Sequence, residues 1–450
     1  MTTDFHRTRA VQPVGQANTL TPLGFPVTIQ SPVTASMEFN MNKPLIVFGA
    51  TSFVGQILCR YLHELNLQAQ GEGGSVNWLM AARSEEKLKR LQQELGGPHA
   101  PEYRLADAGN ETQLRALCEE AGVIISTVGP YALHGEPLIK VCVETGTDYC
   151  DLTGETQWIR RMIDRYEAQA RDSGARIVHC CGFDSIPSDL GVWFLQQQAQ
   201  QTLGTYCQHV KMRVRKFKGG FSGGTVASMM NVAKEAAGDP ALRREMADPY
   251  SLCPADKKPQ IRQHKITATL DEDVNSWIAP FVMEAINTRV VHRSNALLGQ
   301  PWGADFQYDE AVMTGRESKG RNRAKLTALG QPLMMLGMAV PPTRWLMSRF
   351  LPKPGEGPSP EMQQKGFFDL VFVGHTRDNR RIRTTLYGER DPGYGATARM
   401  LGQAALCLRD DVSQEDKPGG FWTPASALAQ PLIARLEANA GLAFRVAESD

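Results

Sequence analysis

This chain has no excess of charge of either sign. Its 49 Lys and Arg residues face 48 Asp and Glu, a net charge of +1 at pH 7. Bulk electrostatics therefore gives no support to nucleic-acid binding, and no nucleic-acid partner is expected. It also has no CxxC spacing among its nine cysteines, an odd number. Neither a disulfide framework nor a bound metal is expected, and a reducing, cytoplasmic setting follows. Most of the cysteines sit in apolar segments, where a thiol behaves as a small hydrophobe. The vicinal pair Cys180 and Cys181 reads as packing at a strand end. Residues 1–40 hold Pro, Thr, Gln and Asn but no apolar targeting core, and read as a disordered tail. Met37 and Met41, just before the first strand, are alternative starts.

Long apolar runs are scarce as well. The apolar segment 326–358 stands out, and its longest uncharged run is the 18 residues Leu326–Thr343. Its Gln331, Pro332 and Pro341-Pro342 argue against a spanning helix. A peripheral patch meeting membrane lipid, a lipidic substrate or another subunit is one reading, with a homodimer among its forms. A buried helix pair is the other.

What is present is an alternation. From Pro44 to about Ser185, apolar runs (Leu45–Gly49, Val76–Ala82, Tyr103–Ala106, Val123–Val128, Asp148–Leu152 and Ile177–Cys181) alternate with amphipathic stretches. Helical periodicity between fully apolar strands means β-α-β crossovers and a parallel sheet covered on both faces. The fold class predicted is α/β: a Rossmann-type, doubly wound parallel sheet over 43–185, with a second α+β domain on a largely antiparallel sheet. That second domain, for substrate or dimerisation, spans 186–390. Its predicted strands lie around Val210–Arg215, Thr288–His292, Phe306–Met313, Phe367–Gly374 and Arg381–Gly388, with a helix over Thr225–Ala237. Residues 391–450 are predicted to be helices packing back on the first domain.

The stretch "IVFGATSFVGQIL" is the first strand-to-helix turn of that alternation. A dinucleotide turn brings backbone close to a pyrophosphate and aims free N–H groups and a positive helix end at it. Gly49, Ala50, Thr51, Ser52, Phe53, Val54 and Gly55 form the expected cradle. Gly49 makes the tight turn and Gly55 lets the helix approach the sheet. Ser52 stands where glycine is usual, and its hydroxyl could donate to a phosphate. The second strand ends not in an acid but in Arg83 and Ser84, a pair suited to a 2′-phosphate. The expected cofactor is thus NADP(H), ahead of NAD(H). Asp107 either accepts from the adenine amino group or begins a turn. The fourth strand ends in Thr127, Val128, Gly129 and Pro130, expected beside the nicotinamide, with Tyr131 and His134 projecting into the cleft.

The blocks "GATSFVGQ", "AARS", "STVGPYALHGEPLIKVCVETGTDYCDLTGE" and "CCGFDSIPSDLG" resemble the saccharopine dehydrogenase-like oxidoreductases, in the branch containing bacterial trans-acting enoyl reductases and the animal saccharopine dehydrogenase-like protein. "LPKPGEGPS", "GERDPGYGATARML" and "GGFWTPASAL" extend the likeness from about Lys43 to the C-terminus. The resemblance implies a Rossmann domain, a second α+β domain and NADP-type cofactor use; Ser52 departs from the family's usual glycine. It also implies an enoyl reductase acting on a hydrophobic acyl or polyketide-type substrate, carrier-bound in some members. Hydride transfer to an activated double bond needs a proton donor and exclusion of water. Tyr131, His134 and Asp184 are the catalytic candidates, with Asp151, Glu155 and Asp189 nearby. Asp184 or Ser185 reads first as a helix cap, with Pro187 in the first turn. Two rivals stay open. One is an imine-reducing amino-acid dehydrogenase using Arg213 and Arg215 for substrate carboxylates. The other is a non-enzymatic lipid-surface protein that retains a nucleotide fold.

Overall fold

The first strand, β1 (Leu45–Phe48), sends alternate side chains into two different cores. Leu45 and Val47 join one apolar cluster, and Ile46 and Phe48 join the other. A strand buried on both faces must be covered by helices on both sides. The computed structural model, which describes residues 43–69, 74–96, 100–220, 223–340, 342–343, 345 and 357–447, has that arrangement. On one side lie the helices Phe53–Gln68, Glu85–Leu95 and Thr397–Asp410, and on the other Glu111–Glu120, Glu136–Thr145 and Thr156–Ser173.

Parallel to β1 run β2 (Trp78–Ala82), β3 (Tyr103–Leu105), β4 (Val123–Ser126), β5 (Asp148–Asp151), β6 (Arg176–Val178) and the distant β13 (Gly420–Trp422). The order is β13-β6-β5-β4-β1-β2-β3. Counted from β3 this is the doubly wound order, reversing direction between β1 and β4, and ligands of such sheets bind outside the carboxyl ends of those two strands. The expected Rossmann sheet is present, with β13 as a seventh strand that local periodicity did not announce.

A second sheet has the order β14-β12-β11-β7-β10-β9-β8. Its members are β7 (His209–Lys218), β8 (Thr269–Asp271), β9 (Ser276–Pro280), β10 (Gln307–Gly315), β11 (Phe367–His375), β12 (Arg381–Glu389) and β14 (Leu442–Val446). All its pairings are antiparallel except β7 with β10. The helix Ile186–Leu203 leaves the first domain and lies on β11, β12 and β14. Its Leu190 and Leu195 share one apolar cluster with Val47, Phe372 and Leu386, so the two sheets meet through a continuous core.

Two expectations change. The run Thr288–His292 is not a strand but part of the helix Glu284–Leu297. Its β-branched residues suggested a strand, yet every residue from Asn287 to Ala296 is buried. A helix enclosed on all sides loses the amphipathic stripe by which sequence reveals it. The stretch 391–450 is also more than helices, since it gives β13 to one sheet and β14 to the other. Its helix Thr397–Asp410 does cover the first domain against Phe53–Gln68, β4 and β5. Buried Arg176 fixes that cover, pairing with Asp148 and donating to the carbonyls of Leu408 (2.8 Å) and Val412 (2.5 Å). The tail 1–40 and most of the segment beyond Val340 lie outside the described residues.

Candidate active site

The turn after β1 is built by close approach. Gly49 has φ +86°, and a Cβ there would lie 2.7 Å from Val128 Cγ2 and 2.8 Å from Thr127 Oγ1. A Cβ on Gly55 would lie 2.2 Å from the Gly49 carbonyl. Neither position admits a side chain, so the helix Phe53–Gln68 starts hard against the strand end. Gly49 and Ala50 both donate to the Ala81 carbonyl (2.8 and 3.1 Å), tying the turn to β2.

The Ser52 hydroxyl is engaged within the turn itself. Its Oγ caps the helix by accepting from Gly55 N at 2.9 Å. Thr127 Oγ1 donates to the Gly49 carbonyl at 2.9 Å, so in its 2.9 Å bond with Ser52 it accepts. A hydroxyl has one proton, and that of Ser52 goes to Thr127. The pair thereby bridges the ends of β1 and β4. Meanwhile the N–H groups of Phe53 and Val54, at the helix start, have no acceptor among the described residues. Free N–H groups at a positive helix end, beside a glycine cradle closed to any Cβ, fit a pyrophosphate. NADP fits this chain on those grounds.

Beyond β2, Arg83 is exposed and, like Lys87, has no ion-pair partner among the described residues. Both are free to meet a 2′-phosphate. Ser84 caps the helix Glu85–Leu95 by accepting from Lys87 N (3.4 Å), leaving its own proton free. Asp107 serves a turn, its Oδ1 accepting from Gly109 N at 2.8 Å.

At the end of β4, a buried carboxylate organises the chain. Glu155 accepts from the N–H groups of Tyr131 and Ala132 (both 2.9 Å) and from Ser228 Oγ (2.7 Å). It therefore holds the turn Gly129–Pro130, a cis peptide, and fastens the helix Gly223–Gly238 over it. Tyr131 is buried and packs on Trp158, and its hydroxyl donates to the Ser126 carbonyl at 2.9 Å. Burial pushes its pKa well up. His134 is exposed on the short helix Tyr131–His134, with no partner among the described residues. Asp151 is spent on structure: it accepts from Thr153 N, Cys180 N, Tyr149 Oη and, at 2.7 Å, faces His179 Nδ1.

Two carboxyls then differ, Asp189 fully buried and Asp184 half-buried. Burial pushes both Asp184 and Asp189 up to about 7. Asp189 has both oxygens engaged, by Ser294 Oγ (2.5 Å) and Ala425 N (2.8 Å). Asp184 has no side-chain partner and no cation beside it among the described residues. Its oxygens face Gly154 and Gly182, residues without side chains, and its charge is felt by Tyr131 and by Tyr394. Tyr394 stacks edge-on against Phe53 of the cofactor turn (5.1 Å). The helix Ile186–Leu203 has no side-chain cap, and Ser185 Oγ donates instead to Asn287 Oδ1 (3.0 Å). Asp184 is thus an acid without a side-chain partner among the described residues rather than a cap.

Arg213 and Arg215 of the second sheet are committed elsewhere. Arg213 pairs with Asp271 (2.7 Å) and Asp309 (2.6 Å), and Arg215 with Asp369 (2.6 Å). A cavity of about 780 Å³ opens over His209, Lys211, Arg213 and His375. Its inner charges are already paired with Asp273 and Asp309, and none of the turn residues borders it. Glu155, Ser228, Phe53 and Tyr394 join the site from four separate stretches of chain. Phe53 stood in the expected cradle and Glu155, in "CDLTGE", drew notice by its residue type; Ser228 and Tyr394 gave no sign before the fold brought them together.

Residues 45–178 match the family model described as the saccharopine dehydrogenase NADP binding domain. A Mycobacterium tuberculosis protein, provisionally named a trans-acting enoyl reductase, is 36% identical over 408 residues, covering 88% of this chain and 95% of that protein. A trans-acting enoyl reductase of Mycobacterium bovis is 34% identical over 420 residues, covering 89% of this chain and 96% of that one. Among solved structures, apo saccharopine dehydrogenase (L-Glu forming) from Saccharomyces cerevisiae aligns over 90% of this chain and 100% of its own, at 12% identity and a TM-score of 0.49.

Proposed function

This chain belongs to the saccharopine dehydrogenase-like oxidoreductases, alongside the trans-acting enoyl reductases, and from that premise we propose that it reduces the double bond of a hydrophobic enoyl thioester. It is an NADP-dependent oxidoreductase, with the cradle Gly49–Gly55 for the pyrophosphate and Arg83 beyond β2 for the 2′-phosphate. When bound, NADPH supplies a hydride with its two electrons. The β-carbon of the enoyl group accepts them, and the α-carbon must then take a proton. Asp184 is the donor in this reading: it holds its proton up to about pH 7, has no competing partner among the described residues, and regains the proton from water. Glu155 holds Gly129 and Pro130 in position without entering the chemistry.

The observation that carries this reading is the uncommitted carboxyl of Asp184. An imine-reducing site for amino acids would instead gather cations for substrate carboxylates, and Arg213 and Arg215 are already paired. The test is NADPH oxidation with a long-chain trans-enoyl thioester, set against its short-chain homologue and against a 2-oxo acid plus an amine. Turnover of the long enoyl thioester alone is expected. Turnover with the oxo acid and amine only would sink the proposal.

A further inference from the structure

The helix Ser318–Ala339 is fastened by one side only. Buried Ala324 and Met338 face inward, the helix rests on β9, β10 and the helix Gly223–Gly238, and Gln331 Nε2 donates to the Pro280 carbonyl (2.9 Å). On the other side Leu326, Leu329 and Leu333 are 72%, 64% and 58% exposed, followed by Val340 at 41%. Spacings of three, four and seven residues place them in one stripe. Three large aliphatic side chains left so open on one helix face are unlike the scattered exposed leucines of an ordinary surface.

Charge along the helix itself has one sign, with Glu317 the acid just before its start. From Ser318 to Gly355 the chain contains no Asp or Glu, while the first two helical turns carry Lys319, Arg321, Arg323 and Lys325. Arg321 lies over the Trp277 ring (5.6 Å). Lys319, Arg323 and Lys325 have no ion-pair partner among the described residues. In a protein of net charge +1 this is a local feature rather than a general excess. A second copy of the same helix would bring only cations to meet these. No described helix is long and apolar enough to cross a membrane.

We propose that the exposed face of Ser318–Ala339 docks the protein on an anionic lipid surface, its leucines entering the acyl boundary and its lysines and arginines meeting the headgroups. The helix Gly223–Gly238, on which it rests, also supplies Ser228 to Glu155 beside the cofactor turn. The docking does not depend on the substrate assignment.

Flotation of the full chain with phosphatidylcholine vesicles, with and without phosphatidylglycerol, tests it. Wild type should float with the anionic vesicles and stay behind with the neutral ones. Leu326→Ser/Leu329→Ser/Leu333→Ser should lose at least ~10-fold in bound fraction, and Lys319→Glu/Arg323→Glu/Lys325→Glu a similar amount. Both variants change exposed residues, so NADPH affinity should be unchanged and reports that they fold. Wild type that ignores anionic vesicles, or a serine variant that floats as well as wild type, would overturn the proposal. So would a serine variant whose main change is from dimer to monomer, since the face would then belong to a second copy. Failure of enoyl reduction leaves the flotation result standing, and the reverse also holds.

Discussion

The two sheets handle polar groups differently, although the first also spends Asp148 on Arg176 and Asp151 on His179. In the first, β1, β4 and β5 are buried on both faces, and the chemistry gathers in backbone at the strand ends: the turn Gly49–Gly55 and the loop Thr127–Pro130. In the second, charged side chains stand on the strands themselves and are consumed by one another, as Arg213 is by Asp271 and Asp309, and Asp273 by Lys211 and His375. Abundant charge is thus a poor guide to function here. The informative groups are the few left unspent: the N–H groups of Phe53 and Val54, the cation of Arg83, and the carboxyl of Asp184.

Substitutions at spent and unspent groups should therefore fail differently. The largest effect is expected at Asp184→Asn, which should lower kcat by roughly 10²–10⁴ while leaving the Kd for NADPH unchanged. In wild type, kcat/KM should fall about tenfold per pH unit above about 7 as this acid loses its proton, and the variant should lack that limb. The linked effect on stability has a definite sign. The folded pKa lies above the unfolded value of about 3.9, so the group's contribution is full below that value and is lost as pH rises towards about 7. Thermal melts should accordingly show a smaller loss over that range in Asp184→Asn.

Arg213→Leu should do the reverse. Leaving two buried carboxylates without their cation should cost about 3–5 kcal/mol in denaturant unfolding, with NADPH affinity of the folded protein intact. A loss of NADPH affinity there would blur the distinction between the sheets. Arg83→Ala should reduce the preference for NADPH over NADH by ~10–100-fold in titrations, the value of a charge-assisted phosphate contact. The smallest effect is expected at Ser52→Ala, about 1 kcal/mol of stability from the lost cap and a few-fold weaker NADPH binding. Tighter binding in that variant would mean that the Ser52–Thr127 link holds nothing useful.

Much of the first sheet was legible because its strands are short apolar runs between helical periods, a pattern that survives in one dimension. The turn was legible for the same reason, since Gly49 and Gly55 are demanded by local geometry. The role of Ser52 was not, because Thr127, its partner, is 75 residues away and joins it only when β1 and β4 pair. The helix Glu284–Leu297 was missed because its polar residues Asn287, His292 and Arg293 are as buried as its apolar ones. Asp184 could be seen as an acid before a helix, but not as an acid without a partner. That property depends on everything that failed to come near it.

The most direct test of the account is a single turnover of a long-chain trans-enoyl thioester with NADPH deuterated at its transferable position, in ordinary water. The account predicts deuterium on the β-carbon and solvent hydrogen on the α-carbon, with product formation in Asp184→Asn slowed by the factor seen in kcat. Deuterium retained entirely by the nucleotide, or equal rates in wild type and Asp184→Asn, would contradict it.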